Sequence, residues 1–257
     1  MNSLALTLTG VLAASACARA GSVAVVGERF DLNIIAGFYN SLPGDTAKVI
    51  SSIDGASLAG VDLLWAVQPS DAYTPTELSA MDAFIDGGGR IAFMGEHGLF
   101  APSENNRIST AISALGGHIS IINLAPDAGF HDATVANGQI LPHSLTTGVY
   151  TYNYACFAPL LSVWGSAEKL MLGSNLSDVM MGYENIGPGS IFVITDQNVW
   201  DNVYNVSSND NGRMFENLLE ASTGAPPVPD AGATFGLFAL ASGALLGARR
   251  RFVVSSK

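Results

Sequence analysis

Cysteine is almost missing from this chain of 257 residues, which contains only Cys17 and Cys156. Cys17 lies in an apolar N-terminal stretch of the signal-peptide type, so Cys156 alone would remain in the mature protein. A single cysteine cannot form an intramolecular disulfide bond. The sequence therefore excludes the disulfide frameworks that stabilise many small secreted domains.

Basic residues are also few: Lys and Arg number 11, against 22 Asp and Glu. Residues 21–225 carry 6 basic and 21 acidic side chains, a net charge of −15. Such a domain repels a phosphate backbone, so we expect no nucleic-acid partner. Charged residues make up 13% of the chain, about half the usual share in soluble domains, and the apolar ends explain part of this deficit.

The N-terminus has the pattern of a cleavable secretion signal. Residues 4–16 are apolar, and Ala18 and Ala20 are the small residues that signal peptidase requires before its cleavage site. Cleavage after Ala20 makes residues 1–20 the signal peptide and Gly21 the mature N-terminus. Lipidation at Cys17 and a retained, buried first helix are the two alternatives.

The C-terminus has three parts in a fixed order. Residues 223–230 form a Pro-rich linker, which no helix or sheet interior tolerates. Residues 231–248 are uncharged and long enough for a short transmembrane helix. A basic tail follows at residues 249–257, as is typical beside a membrane segment. The motif before the predicted helix consists of Val228, Pro229 and Asp230. The motif after it consists of Arg249, Arg250 and Arg251.

This tail resembles the PEP-CTERM class of sorting signals in its Val-Pro-Asp variant. The resemblance implies export, a precursor anchored in the inner membrane of a Gram-negative bacterium, and delivery to the cell surface or extracellular matrix. An exosortase and signal peptidase are then the expected processing partners, and the C-terminal helix is the contact with the membrane. An ordinary anchor helix is the alternative, and it also places the domain outside the cytoplasm.

Between the two ends, residues 21–222 alternate apolar strand-like runs with helical patterns. This alternation predicts an α/β domain of the flavodoxin-like type, with a mostly parallel sheet flanked by helices. After about residue 145 the pattern changes, and antiparallel strands are expected to extend the sheet. Thr74, Pro75 and Glu77 form a capping box that predicts a helix start, and Ser103 is predicted to cap the next helix. Strands are expected at residues 22–27, 47–53, 62–67, 90–95, 118–124, 149–157, 169–172, 178–183 and 190–195.

Several segments of this region resemble divergent members of the class I glutamine-amidotransferase-like superfamily, which include trehalose-utilisation-type domains and the N-terminal domain of an intraflagellar transport subunit. The segments are residues 61–65, 74–77, 84–91, 143–149 and 188–196. The segment that begins at His143 is similar to a His-Pro-x-Thr-x-Gly motif, with Ser144 in place of proline. The resemblance covers residues 22–220 and implies an amidotransferase-like fold.

Catalytic members of that superfamily need a cysteine nucleophile on a strand-to-helix turn and a histidine base later in the chain. The matching turn here reads Gly95-Glu96-His97-Gly98, and no histidine follows His143. We therefore expect a non-catalytic binding domain without a cofactor. Glu96 and His97 nevertheless lie where ligands bind in open α/β sheets. The alternative is thus an extracellular hydrolase or metal-dependent enzyme that uses these two residues.

Other polar and aromatic residues are weaker candidates for binding. His143, Asp196 and Asp201 are predicted to contact a ligand, and the partner is expected to be a polysaccharide or another surface protein. Tyr150, Tyr152 and Tyr154 alternate, so a strand would place them on one face, where an exposed row could stack on sugar rings. The spacing of the four histidines does not match that of standard zinc sites, so no metal centre is predicted.

Overall fold

The computed structural model describes residues 20–200 and 209–222. Residues 1–19 of the predicted signal peptide, Asp201, the sorting motif, the predicted transmembrane helix and the basic tail lie outside these described residues. No helix within the described ranges is long and apolar enough to cross a membrane.

The chain forms a mixed α/β structure with eleven strands and four α-helices in the described residues. The strands are β1 Ser22–Gly27, β2 Thr46–Val49, β3 Leu63–Val67, β4 Arg90–Met94, β5 Ser120–Ile121, β6 His131–Thr134, β7 Thr151–Tyr154, β8 Leu160–Leu161, β9 Ala167–Leu172, β10 Val179–Ile186 and β11 Gly189–Ile194. The helices are α1 Leu32–Ser41, α2 Pro75–Asp86, α3 Pro102–Ala114 and α4 Asn211–Ser222.

Five strands form the parallel part of the main sheet, in the order β2-β1-β3-β4-β11. This is the strand order of the flavodoxin-like type, with β11 in the fifth position. Every residue of β3, β4 and β11 is buried, as expected for parallel strands that have helices on both faces. The predicted mostly parallel sheet is confirmed.

Each face of the sheet packs against its own pair of helices. On one face, Ile35 and Tyr39 of α1 share an apolar cluster with Phe215 of α4. On the other face, α2 and α3 contribute residues such as Ile85 and Ile108 to a second cluster. The Thr74 capping box of α2 forms as predicted. The predicted Ser103 cap is wrong, because α3 begins earlier at Pro102 and its N-cap is Ala101.

Antiparallel strands complete the sheet beyond β11. Strand β10 pairs with β11, while β8 and β9 pair with β10, and β5 pairs with β8. Strand β5 is shorter than the predicted strand at residues 118–124 and is antiparallel, because β11 occupies the place beside β4 that a fifth parallel strand would take. Strands β6 and β7 form a separate two-stranded sheet.

Tyr150, Tyr152 and Tyr154 do not form an exposed row that could stack on sugar rings. Tyr152 and Tyr154 of β7 are fully buried, and only Tyr150, which precedes the strand, is exposed. The strand does place Tyr152 and Tyr154 on one face, but that face turns inward. Tyr152 packs against Phe215 of α4, and Tyr154 packs against Phe157.

Arg90, the first residue of β4, connects α4 to the amino edge of the parallel strands by hydrogen bonds. Its buried side chain donates hydrogen bonds from Nε to Ser190 Oγ at 2.9 Å, from Nη1 to the Leu218 carbonyl at 2.6 Å and from Nη2 to the Tyr183 hydroxyl at 3.3 Å. Leu218 lies in the last turn of α4, where the helix dipole favours a cation. The C-terminal end of α4 is therefore fixed beside the amino ends of β4 and β11.

Candidate functional site

The turn Gly95-Glu96-His97-Gly98 lies at the carboxyl edge of the parallel strands, directly after β4. The Gly95 amide still pairs with the Ile194 carbonyl of β11 at 2.9 Å. The ends of β3 and β11 flank the turn, because these strands are the two neighbours of β4. This is the edge at which open α/β sheets bind their ligands.

Two glycines and one asparagine hold this turn in shape. A Cβ atom on Gly95 would lie 2.3 Å from Asn105 Oδ1, and one on Gly98 would lie 2.1 Å from the backbone carbon of Asn123. Asn105 of α3 accepts a hydrogen bond from the Glu96 amide at 3.1 Å and donates one to the Glu96 carbonyl at 2.6 Å. These close approaches therefore require glycine at both ends of the turn.

The carboxyl group of Glu96 is buried and joins two turns. Its Oε1 accepts a hydrogen bond from the His97 amide at 2.8 Å, and its Oε2 accepts one from the Gln197 amide at 2.9 Å. Burial, and next the charge of Asp196, raise the pKa of Glu96 to about 8. The group is therefore mostly protonated at neutral pH, even though both oxygens accept backbone hydrogen bonds.

The imidazole of His97 does not form a close pair with Glu96. His97 Nε2 lies 3.9 Å from Glu96 Oε1, which is beyond hydrogen-bond distance. His97 Nδ1 is buried and has no hydrogen-bond partner. Burial lowers the pKa of His97, so the ring is neutral at pH 7. The fold therefore places Glu96 and His97 side by side, and both side chains are mostly neutral at pH 7.

The remaining predicted binding residues do not gather at one place. Asp196 is buried beside Glu96, where its carboxylate accepts hydrogen bonds from the Ala155 amide at 2.6 Å and from the Asn198 amide at 2.9 Å. His143 contacts Tyr183 and Glu168 instead, and Tyr183 bonds to Arg90 at the amino end of β4. Asp201 lies outside the described residues.

Cys156 belongs to the same region as Glu96, which its position in the sequence did not indicate. Burial raises the pKa of the Cys156 thiol, and the charges of Glu96, once it has lost its proton, and of Asp196 and Asp127 raise it further. A thiol is a weak nucleophile until it loses its proton. The cysteine of this region is therefore held in its unreactive form.

Gln68 is a further residue of this edge that sequence analysis missed. It follows β3 directly and is fully buried. Its backbone φ is +35°, a value that residues other than glycine rarely adopt. Its Nε2 donates to Gln197 Oε1 at 2.7 Å, so Gln68 and Glu96 both contact Gln197. Its position directly after the predicted strand at residues 62–67 could have identified Gln68 as a candidate from the sequence.

The histidines are dispersed, and within the described ranges no group of three or more His, Cys, Asp or Glu residues is placed to hold a metal ion. His118 Nδ1 lies 2.5 Å from Glu184 Oε1. His131 packs on Tyr154 with ring centroids 5.7 Å apart. His97 and His143 have the separate surroundings described above.

Comparison with known protein families identifies the C-terminal segment. Residues 227–252 match the VPDSG-CTERM motif, a PEP-CTERM-like signal that indicates an exported, sorted protein and processing by a sorting protease of the exosortase type. None of the curated protein sequences matches the chain.

Solved structures share the fold of the chain at low sequence identity. The mmIFT52 N-terminal domain is 16% identical, with a TM-score of 0.65, over 80% of this chain and 98% of that one. A cytoplasmic protein from Salmonella typhimurium LT2 is 10% identical, with a TM-score of 0.58, over 78% and 98%. A putative GMP synthase protein from Thermoplasma acidophilum is 14% identical, with a TM-score of 0.53, over 80% and 96%. These similarities show the fold alone.

The raised pKa of Glu96 predicts a specific pH dependence of stability. Between about pH 4.5, the reference value, and about pH 8, the folded protein keeps a proton on Glu96 that the unfolded chain releases. The stability contributed by Glu96 therefore falls as the pH rises, by up to about 1.4 kcal/mol per pH unit. Glu96→Gln removes this titration, so the stability difference between wild type and variant should shrink or reverse towards pH 8.

Urea unfolding at several pH values measures this difference. Asp82→Asn is the matched control, since Asp82 is an exposed carboxylate of α2. A stability difference between wild type and Glu96→Gln that stays constant from pH 5 to pH 8 would show that Glu96 is already ionised in the folded protein.

Proposed function

We propose that this chain is a surface or extracellular-matrix protein of a Gram-negative bacterium, exported and then sorted by an exosortase. In this proposal, residues 1–20 are the signal peptide and residues 21–222 a non-catalytic, amidotransferase-like binding domain. Residues 223–230 are the linker and sorting motif, residues 231–248 the membrane helix and residues 249–257 the cytoplasmic tail. The match of residues 227–252 to the VPDSG-CTERM motif is the observation that carries the proposal.

The chemistry of the carboxyl edge supports a non-catalytic role. Glu96 uses both oxygens to bind backbone amides, and His97 is too far from it to exchange a proton directly. The raised pKa of Cys156 lowers the fraction of its reactive thiolate form. Acyl transfer needs an activated nucleophile with a base in hydrogen-bond reach, and this arrangement supplies neither.

Exposed apolar side chains near the same edge support a binding role. Leu99 is 83% exposed, Leu124 56% and Phe100 45%. They lie close together, because the Gly98 amide donates to the Leu124 carbonyl at 2.7 Å and Leu99 and Phe100 follow Gly98. Clustered apolar side chains at a protein surface are typical of protein interfaces, so another surface protein is favoured over a polysaccharide as the partner.

An extracellular hydrolase that uses Glu96 and His97 is the second candidate. The raised pKa of Glu96 favours it, since perturbed carboxyl groups are common in active sites. We expect the purified chain to hydrolyse neither glutamine nor a generic ester such as p-nitrophenyl acetate above the rates of Glu96→Gln and His97→Ala. Turnover that both substitutions abolish, while circular dichroism shows the variants to be folded, would establish the hydrolase instead.

Deletion of the host's exosortase tests the sorting proposal. The wild-type chain should then stay in the inner-membrane fraction with its C-terminal tail, because cleavage near Asp230 no longer occurs. Mass spectrometry and cell fractionation measure both effects. Pro226→Ala in the normal host is the control, since Pro226 lies outside the matched residues 227–252, and it should be processed normally. Unchanged mass and location after the deletion would make the tail an ordinary anchor.

Replacing Leu99 and Leu124 together by aspartate tests the binding surface. Two charges should prevent an apolar contact, so the processed protein should move from the surface fraction into the medium by about tenfold or more, as expected for the loss of at least about 1.4 kcal/mol of binding free energy. The matched control is Trp164→Asp, which adds a charge at another exposed apolar residue. Full retention of the double variant, with release by a matrix-degrading glycosidase, would identify a polysaccharide partner at another surface.

A further inference from the structure

Two aspartate side chains lie beside the residues at which β1 begins. Ala20 is exposed, whereas Gly21 is buried. The Gly21 amide donates to Asp45 Oδ1 at 2.7 Å, and the next amide, that of Ser22, donates to Asp62 Oδ2 at 2.9 Å. Two carboxylates therefore accept hydrogen bonds from the amides of Gly21 and Ser22, where the strand begins.

Helix α4 closes the other side of this site. A Cβ atom on Gly21 would lie 2.7 Å from Leu219 Cδ2, closer than real side chains approach one another, so glycine is the residue that fits without moving Leu219. The Gly21 carbonyl accepts a hydrogen bond from the Thr46 amide at 2.9 Å. Gly21 is thus held at its nitrogen by Asp45, at its carbonyl by Thr46 and at its α-carbon by Leu219.

We propose that removal of the signal peptide after Ala20 creates an α-ammonium group on Gly21 that forms an ion pair with Asp45 and locks the start of β1. Hydrolysis of the Ala20–Gly21 peptide bond consumes one water molecule. It leaves a carboxylate on Ala20 and an amine on Gly21, which takes up a proton at neutral pH. The inference rests on the export part of the proposed function.

Cleavage changes both the charge and the number of donors at this nitrogen. In the precursor, the Gly21 nitrogen is a neutral amide with one hydrogen to donate. In the mature protein it is a cation with three, beside the carboxylates of Asp45 and Asp62. In the precursor only the acceptor of this hydrogen bond is ionised, and cleavage makes the donor a cation as well, which adds a Coulomb attraction between the two groups. Since the site is partly buried, we expect an effect on the order of tenfold in the opening equilibrium of β1.

The ion pair between Gly21 and Asp45 would form only after export. The precursor, which lacks the ion pair, opens more readily at β1, the strand between β2 and β3. Once the signal peptide is removed on the outer side of the membrane, the same strand becomes harder to open. Processing would then stabilise the domain without any change in its sequence or fold.

The test compares two detergent-solubilised proteins, one spanning residues 21–257 and the other residues 20–257. Both carry an α-ammonium group, but the extra Ala20 moves it away from Asp45. Hydrogen exchange of the β1 amides should be about tenfold slower in the protein that begins at Gly21. With Asp45→Asn, which keeps the acceptor oxygen and removes its charge, the two proteins should exchange at equal rates.

Equal protection of the two wild-type proteins would overturn the inference, and so would a difference that persists with Asp45→Asn. N-terminal sequencing of the protein exported by its host provides an independent test. Gly21 is the expected first residue, and any other would also overturn the inference. These results do not depend on the exosortase, so they are separable from a failure of the sorting proposal.

Discussion

The buried carboxyl group of Glu96 is the constraint on which the carboxyl edge of the sheet depends. It connects the turn after β4 with the turn after β11 by accepting one backbone hydrogen bond from each. Without it, two partly buried amides would lose their acceptors, and backbone groups that are shielded from water without a partner are costly. Protonation allows this carboxyl group to lie beside Asp196, because two neighbouring buried carboxylates would repel each other. Glu96 thus joins the two turns, while Asn105 and the close approaches at Gly95 and Gly98 shape the first of them.

The local signals in the sequence predicted the central part of the fold. Strands β1, β3 and β4 are apolar runs within the parallel sheet, and α2 has a capping box that specifies its start within its own residues. Pairing among β5 to β10 depends on contacts between distant segments, which local patterns do not contain. The tyrosines illustrate this limit: alternation placed Tyr152 and Tyr154 on one face of a strand, but the packing of α4 decides that this face is buried.

The candidate site was predictable only where it follows a strand directly. Glu96 and His97 were found because they come immediately after β4. Cys156 joins the same region from a loop after β7, and Asn105 holds the turn from inside α3, where a buried asparagine has no distinctive sequence signal. The pKa values were not predictable either. They arise from burial, which raises the pKa of Glu96 and lowers that of His97, so a carboxylate–imidazole pair in the sequence becomes two neutral groups in the fold.

The two edges of the sheet have different surroundings, and this difference fits the proposed sorting. The start of β1 and the end of α4 meet at the amino edge, where Gly21 lies against Leu219 and Arg90 binds the Leu218 carbonyl. The exposed Leu99 and Leu124 lie at the opposite edge. The proposed contact surface and the end of the last described helix therefore lie at opposite edges of the sheet, so a partner bound at Leu99 and Leu124 leaves the end of α4 uncovered.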